Sequence, residues 1–251
     1  MPVADSALNG PGTATGPAAE AAATPGAARS ALDPAPAEPD RRGRVFEMVA
    51  AVCTAAGKFV LSDWLGYQLH FTIAAIAFWA GYVTLRHSWN PTVLKRWGFS
   101  RAGLKTGLVL GAGVFVVGLT VSLLYGLIAG SSLLNWNLGL LLLLYPVWGV
   151  VQQLLVTCLF ADNVMVLSRG KVSPFVVVMM AALLFSAAHV PDRELMVATF
   201  FLGITTVLIF FRTRNLLAVG ILHGWFASVF YFFGMGQDPL APLLAATFGT
   251  P

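Results

Sequence analysis

Long runs of apolar residues, separated by short polar or basic connections, fill the chain from about residue 45 onward. The runs cover residues 45–65, 67–85, 104–129, 138–166, 173–188, 195–211 and 216–233. Most are long enough to cross about 30 Å of hydrocarbon as helices that rise about 1.5 Å per residue. They lack the alternation at every second position that marks the strands of a membrane barrel. The pattern therefore predicts an all-α, polytopic transmembrane helical bundle with about seven spans, in a range of six to eight.

The composition supports a membrane protein and excludes other classes. Hydrophobic residues make up 57% of the chain and charged residues 10%, whereas roughly a quarter of a soluble domain is charged. A soluble enzyme, a disordered protein and a disulfide scaffold are thereby excluded. Residues 1–43 are rich in Ala, Pro and Gly and predict a disordered tail. The bundle then spans residues 44–233, and residues 234–251 form a short C-terminal tail.

The basic residues predict the orientation of the chain. The chain has 15 Lys and Arg residues, and they cluster before the first run and after the second, fourth and sixth. Since such clusters mark cytoplasmic connections, we expect seven spans in the cell membrane and a cytoplasmic amino terminus. The charged residues Lys58 and Asp63 make the first run the least secure prediction of a span. If the first helix lies at the membrane interface instead, six spans remain. Basic residues beside spans also account for the net charge of +4, so the lipid bilayer is an expected partner and nucleic acid is not.

Strongly hydrogen-bonding side chains inside or at the end of the apolar runs need an explanation, and four of them are candidates for an interior site. Gln152 and Gln153 lie in the fourth run, His189 closes the fifth, and His223 lies in the seventh. Such residues are costly in hydrocarbon and usually face the interior of a bundle, where they act as interhelical hydrogen-bonding groups or form a site. At about 1.5 Å per residue, their depths range from about 10 to 24 Å from the cytoplasmic ends. One shared interior site is compatible with these depths.

The same residues belong to three ordered motifs. The motifs are Gln152-Gln153-Leu-Leu-Val-Thr157, Phe185-Ser-Ala-Ala-His189 and His223-Gly-Trp-Phe-Ala227. In order and spacing they resemble the CAAX protease and bacteriocin-processing family of intramembrane endopeptidases, which carry Glu-Glu-x-x-x-Arg, Phe-x-x-x-His and His-x-x-x-Asn. The resemblance covers about residues 138–233. It implies a CAAX endopeptidase-like core that hydrolyses a peptide bond of a membrane-associated peptide or protein.

The first and third motifs depart from the family pattern. Gln152 and Gln153 replace the glutamates, of which the first is thought to act as the general base. Thr157 stands where the family has Arg, and Ala227 stands where it has Asn. An amide keeps the hydrogen bonds of a carboxylate but cannot take up a proton at neutral pH. The resemblance therefore implies a retained fold and leaves open whether the protein cleaves a peptide or only binds one.

By the resemblance, the catalytic motif positions are Gln152, Gln153, His189 and His223, supported by Thr157, Phe185 and Ala227. A carboxylate from elsewhere is a further route to catalysis. Asp192 and Glu194 follow His189 but are expected in an outward loop, and Asp162 lies about 13 Å from Gln153 along the helix axis.

No set of three zinc ligands is evident, so no metal or cofactor is expected. Two hypotheses from other classes remain open. His189 and His223 are sufficient for axial ligation in a bis-histidine haem protein or for a quinone site. The other hypothesis is a small transporter, although the sequence offers no internal repeat.

Overall fold

The computed structural model describes residues 41–131, 134–242 and 244, and every regular element in this part of the chain is a helix. Residues 1–40 of the predicted tail and the end of the C-terminal tail lie outside the described residues. The helices are α1 (Arg41–Lys58), α2 (Gln68–Trp89), α3 (Val93–Arg96), α4 (Leu104–Ala129), α5 (Asn137–Gln153), α6 (Asn163–Ser168), α7 (Pro174–Ala187), α8 (Arg193–Thr213) and α9 (Leu216–Val229). Three π-helical segments extend α1, α5 and α9: Phe59–Trp64, Leu154–Asp162 and Phe230–Gly234.

The structure confirms the all-α polytopic bundle and has a helix at each of the seven predicted runs. Six helical stretches in the described part are long and apolar enough to cross a membrane. The seventh, α7, has 14 residues and reaches only about 21 Å. The described part of the first helix includes Arg44, which is buried and donates to the side chain of Asn163.

Side-chain caps begin the three helices that follow the fourth run. Ser173 accepts a hydrogen bond from the backbone of Val176 at the start of α7, and Asp192 accepts one from Leu195 at the start of α8. Asn215 caps α9 and also donates to the carbonyl oxygens of the connection before α4. Caps of this kind satisfy backbone donors that a helix start leaves without partners.

Helices α5 and α9 pack with their backbones in contact. A Cβ atom added to Gly149 would overlap the carbonyl oxygen of Gly220, and one added to Gly224 would overlap the backbone of Pro146. Small residues permit this close approach between membrane helices. As a result, the end of α5, which carries Gln153, lies directly beside the middle of α9.

A buried carboxylate, Glu47, joins α1 to its neighbours. Its side chain has no solvent-exposed surface. It accepts hydrogen bonds from Arg96 at 2.6 Å, from Asn163 at 2.8 Å and from Tyr82 at 3.2 Å. Arg86 lies 3.7 Å from the same carboxylate. A buried charge is tolerated only with such partners, so these contacts tie α1 to α2, α3 and α6.

Asp162 forms the second half of this cluster. Arg214 donates to it at 2.6 Å, and the side chain of Arg44 lies 3.9 Å away. Burial, the largest single effect, lowers the pKa of Arg214, but the hydrogen bond and the negative charge of Asp162 act in the opposite direction, and the pKa is raised overall. We refer to Glu47 and Asp162 with their four arginines, Arg44, Arg86, Arg96 and Arg214, as the arginine–carboxylate cluster.

The first residues of the predicted C-terminal tail pack against the bundle. Asp238 accepts hydrogen bonds from Asn135 at 3.0 Å and from Asn137 at 2.6 Å. Partial burial raises the pKa of Asp238, but these hydrogen bonds lower it below its usual value overall. Leu240 packs with Leu141 and Phe232 in a small apolar cluster.

The contact between α5 and α9 makes a glycine substitution informative. We expect Gly149→Ala to lower the free energy of unfolding by about 1–3 kcal/mol, because the new methyl group has no room. Gly139→Ala on the same helix is the matched control, since the space around its Cβ position is open. Thermal unfolding in one detergent checks both. Equal midpoints for the two variants would contradict the close packing of α5 and α9.

Candidate functional site

His189, His223, Gln152 and Ala227 line one small cavity between α5, α8 and α9. Its volume is about 20 Å³, which is space for about one water molecule. The rings of Tyr145 and Tyr231 also line it, and their centroids lie 6.2 Å apart. Residues from all three motifs therefore meet at one place inside the bundle.

Gln153 does not line the cavity but holds the ring of His223. Its side-chain nitrogen lies 3.0 Å from Nδ1 of His223, and both residues are buried. With the amide placed this way, Gln153 donates and Nδ1 accepts, so the proton of a neutral imidazole lies on Nε2. The oxygen Oε1 of Gln153 is buried and has no hydrogen-bond partner among the described residues.

His189 is oriented by the backbone of its own motif. Its Nδ1 lies 2.8 Å from the carbonyl oxygen of Phe185, one helical turn earlier. A carbonyl oxygen can only accept, so Nδ1 carries the proton and Nε2 carries the lone pair. The buried ring of Phe185 packs against both imidazoles, with centroid distances of 5.2 Å to His189 and 5.2 Å to His223. Phe185 thus orients His189 through its backbone carbonyl and contacts His223 through its ring.

Thr157 does not reach the cavity. It is fully buried, and its hydroxyl group donates to the backbone carbonyl of Gln153. Thr157 lies in the π-helical segment Leu154–Asp162, which starts directly after Gln153. Segments of this kind often occur at functional sites. No sequence pattern indicated the π-helical segment.

The sequence reasoning also missed Tyr145 and Tyr231 as cavity residues. Tyr145 precedes Gln152 by two helical turns, so the i, i+7 spacing on α5 is a signal that would have found it. Tyr231 lies in the π-helical segment after α9 and two turns beyond Gly224. Both rings are aromatic walls of the cavity that carry a hydroxyl group.

No carboxylate lines the cavity in the described part of the chain. Asp162 is paired with Arg214, Asp192 caps α8, and Glu194 is exposed. Across the described residues, no group of three or more His, Cys, Asp or Glu side chains is placed to hold a metal ion. The polar side chains that line the cavity are therefore one amide, two imidazoles, two phenols and the hydroxyl group of Thr199.

The fold and this intramembrane cavity define the class as a polytopic membrane protein with a polar site inside its helical bundle. Residues 133–229 match the family model described as Type II CAAX prenyl endopeptidase Rce1-like. The match agrees with the family resemblance that the motifs carry, and it takes in α5, α7, α8 and α9. A search of curated proteins and a search of solved structures found no match.

The bond between Gln153 and His223 is testable by a double-mutant cycle. The double variant Gln153→Leu with His223→Leu leaves no buried polar partner behind. We therefore expect its loss in the free energy of unfolding to be smaller, by about 1 kcal/mol, than the sum of the losses in the two single variants. Gln152→Leu replaces Gln153→Leu in the control cycle, and its coupling to His223 is expected near zero. Chemical denaturation in mixed micelles measures the four variants of each cycle. A coupling as large in the control cycle would contradict the assignment.

Proposed function

We propose that this integral membrane protein is a non-hydrolysing member of the CAAX protease family. In this proposal it binds a peptide or a partner helix at the cavity without cleaving it. The observation that carries the proposal is the lining of the cavity, which contains two histidines and an amide but no carboxylate among the described residues. The fold and the family segment are retained, while the group that would activate water is replaced.

The chemistry of the replacements supports a neutral binding site. Hydrolysis of a peptide bond needs a base that takes a proton from water, and Gln152 cannot do this. The carboxylate of Asp162, further along the same helical stretch, accepts a hydrogen bond from Arg214. Thr157, in place of the family's Arg, is consistent with this loss, because a buried Arg without a carboxylate partner is strongly destabilising.

The cavity is suited to one oxygen atom of a ligand. Its volume of about 20 Å³ is close to that of one water molecule. Gln152 brings amide protons to it, and His223 brings the Nε2 proton that follows from its bond with Gln153. Donors arranged around one oxygen position are what a peptide carbonyl group requires. We therefore propose a backbone carbonyl of a membrane-associated segment as the group bound.

Slow hydrolysis with His189 as the base is a second candidate. The bond from Nδ1 of His189 to the carbonyl of Phe185 leaves the lone pair on Nε2, where it can accept a proton from a water molecule. A base held by a third group in this way is the usual arrangement in hydrolytic sites. His223 and Gln152 would then donate to the developing oxyanion. This candidate differs from the first in requiring turnover.

The cavity also bears on the haem alternative. A haem plane needs far more space than about 20 Å³, and the ring of Phe185 packs against both imidazoles that would be its axial ligands. These contacts favour a small polar group over a macrocycle.

A peptide-cleavage assay separates the two candidates. We expect the unaltered protein in liposomes to release no product from a library of membrane-associated peptides. The fourfold variant Gln152→Glu, Gln153→Glu, Thr157→Arg and Ala227→Asn is expected to gain turnover, because it restores the base and its partners. The same variant with His189→Ala is the matched control and is expected to stay inactive. Turnover by the unaltered protein that His189→Ala abolishes would instead support hydrolysis with His189 as the base.

We further propose that the protein lies in the cell membrane with its amino terminus in the cytoplasm and seven crossings. The arginine–carboxylate cluster supports the proposed orientation. It gathers arginines from α1, α2 and the connections before α4 and α9 at one end of the bundle. Basic residues gathered at one end are typical of the cytoplasmic side.

Cysteine labelling tests this orientation. In a Cys53→Ala background, we expect Lys171→Cys to react with an impermeant maleimide only after the cells are opened. Leu134→Cys is expected to react in intact cells, because the connection between α4 and α5 would face outward. Both positions are exposed, so accessibility to solvent does not limit the reaction. Labelling of the two positions from the same side would contradict the proposed topology.

A further inference from the structure

An open apolar groove runs along α1 and α2 on the membrane-facing surface, away from the cavity. Its volume is about 350 Å³. Its walls are formed by α1, the π-helical segment after α1, and α2. They include Ala50, Cys53, Gly57, Leu61, Phe71 and Trp79. Within the groove, the indole nitrogen of Trp79 donates to the hydroxyl group of Thr54 at 3.3 Å. We refer to this feature as the α1–α2 groove.

The groove has the length of one leaflet. From Ala50 to Leu61 the helix rises about 16 Å at 1.5 Å per residue. A single leaflet contributes about half of the 30 Å hydrocarbon core. One acyl chain that lies along the groove would therefore extend from the membrane surface to the middle of the bilayer.

One end of the groove leads into the arginine–carboxylate cluster. Trp79, Tyr82 and Arg86 share one face of α2, at spacings of three and seven residues. On α1, Glu47 lies one turn before Ala50. The rings of Trp79 and Tyr82 are in contact, with centroids 5.5 Å apart, and Tyr82 donates to Glu47. The apolar walls thus pass directly into charged groups.

The cluster carries more positive than negative charge in the described part of the chain. Four arginines face two carboxylates, Glu47 and Asp162. Nε of Arg44 is buried and has no acceptor among the described residues. Arg41 and Arg42 are exposed in the first turn of α1 and add further positive charge. The described part of this group therefore carries a net positive charge, which an anion would compensate.

We propose that the α1–α2 groove and the cluster together bind an anionic phospholipid. Its phosphate group contacts Arg86 and Arg96, whose side chains are 18% and 23% exposed, and one acyl chain lies in the groove. Basic pockets between membrane helices bind anionic headgroups in this way, and guanidinium groups match phosphate oxygens. The site shares no residue with the lining of the cavity.

Charge favours a lipid over a second copy of the chain. Copies in one membrane share the same orientation, so a copy docked in the groove would bring its own arginine–carboxylate cluster to the same depth. Two clusters with surplus positive charge repel each other. An anionic lipid instead compensates the surplus.

Lipid binding is measured by native mass spectrometry of the full-length protein released from detergent. We expect phosphatidylglycerol to be retained about tenfold more strongly than phosphatidylcholine of the same chains, because each basic residue near an anionic headgroup adds several-fold to the affinity. Gly57→Leu fills the groove and is expected to lower retention of phosphatidylglycerol about tenfold. Gly81→Leu is the matched control, since its Cβ position faces open space on α2, and retention is expected to stay unchanged. Equal retention of the two lipids, or equal effects of the two variants, would overturn the proposal.

Alkylation of Cys53 gives a second readout that does not depend on a variant. Cys53 is exposed and lines the groove, whereas Cys158 is buried. We expect phosphatidylglycerol in vesicles to slow the reaction of Cys53 with a membrane-permeant maleimide several-fold more than phosphatidylcholine does. Protection that is equal in both lipids would refute a specific site. Oxidative cross-linking of two chains through Cys53 in the presence of phosphatidylglycerol would instead assign the groove to a second copy of the protein.

Discussion

Backbone contact between α5 and α9 positions most of the intramembrane site. Gly149, Gly220 and Gly224 leave no side chain between the two helices, and Gln153 consequently lies within 3.0 Å of His223. A single neutral hydrogen bond contributes only about 1 kcal/mol to stability, so it does not hold two helices together by itself. The packing of small residues brings the helices together, and the hydrogen bond follows from that packing.

Ionised groups and the cavity occupy separate parts of the bundle. Glu47 and Asp162 lie among arginines at one end, while the amide of Gln152, two imidazoles and aromatic rings line the cavity. A carboxylate at residue 152 or 153 would need a cationic partner in this low-dielectric interior, and Thr157 offers none. Glutamine at these two positions and threonine at 157 are therefore electrostatically consistent with each other. Among the described residues, the lining offers hydrogen-bonding groups and no carboxylate, which is the basis for the proposed binding of a carbonyl group.

One continuous helical stretch connects the two proposed sites. Asn163, at the start of α6, bonds to Arg44 and Glu47 of α1. The same stretch, Asn137–Ser168, carries Gln152 and Gln153 in its middle. The arginine–carboxylate cluster thus anchors the end of the helical stretch that supplies Gln152 to the cavity and Gln153 to His223. Loss of the cluster would affect the position of the cavity residues as well as the proposed lipid site.

The sequence by itself determined the membrane-spanning helices, because long apolar runs form helices in hydrocarbon, and the order of its motifs was enough to carry the resemblance to the CAAX endopeptidase family. It also predicted Gln152, Gln153, His189 and His223 as site residues. Only the tertiary structure decided which glutamine lines the cavity, since adjacent residues point about 100° apart on a helix and the facing helix is unknown from sequence. Likewise, the hydrogen-bond partner of Asp162 is Arg214, a residue distant in the chain. Long-range packing sets these contacts, and a local pattern does not encode it.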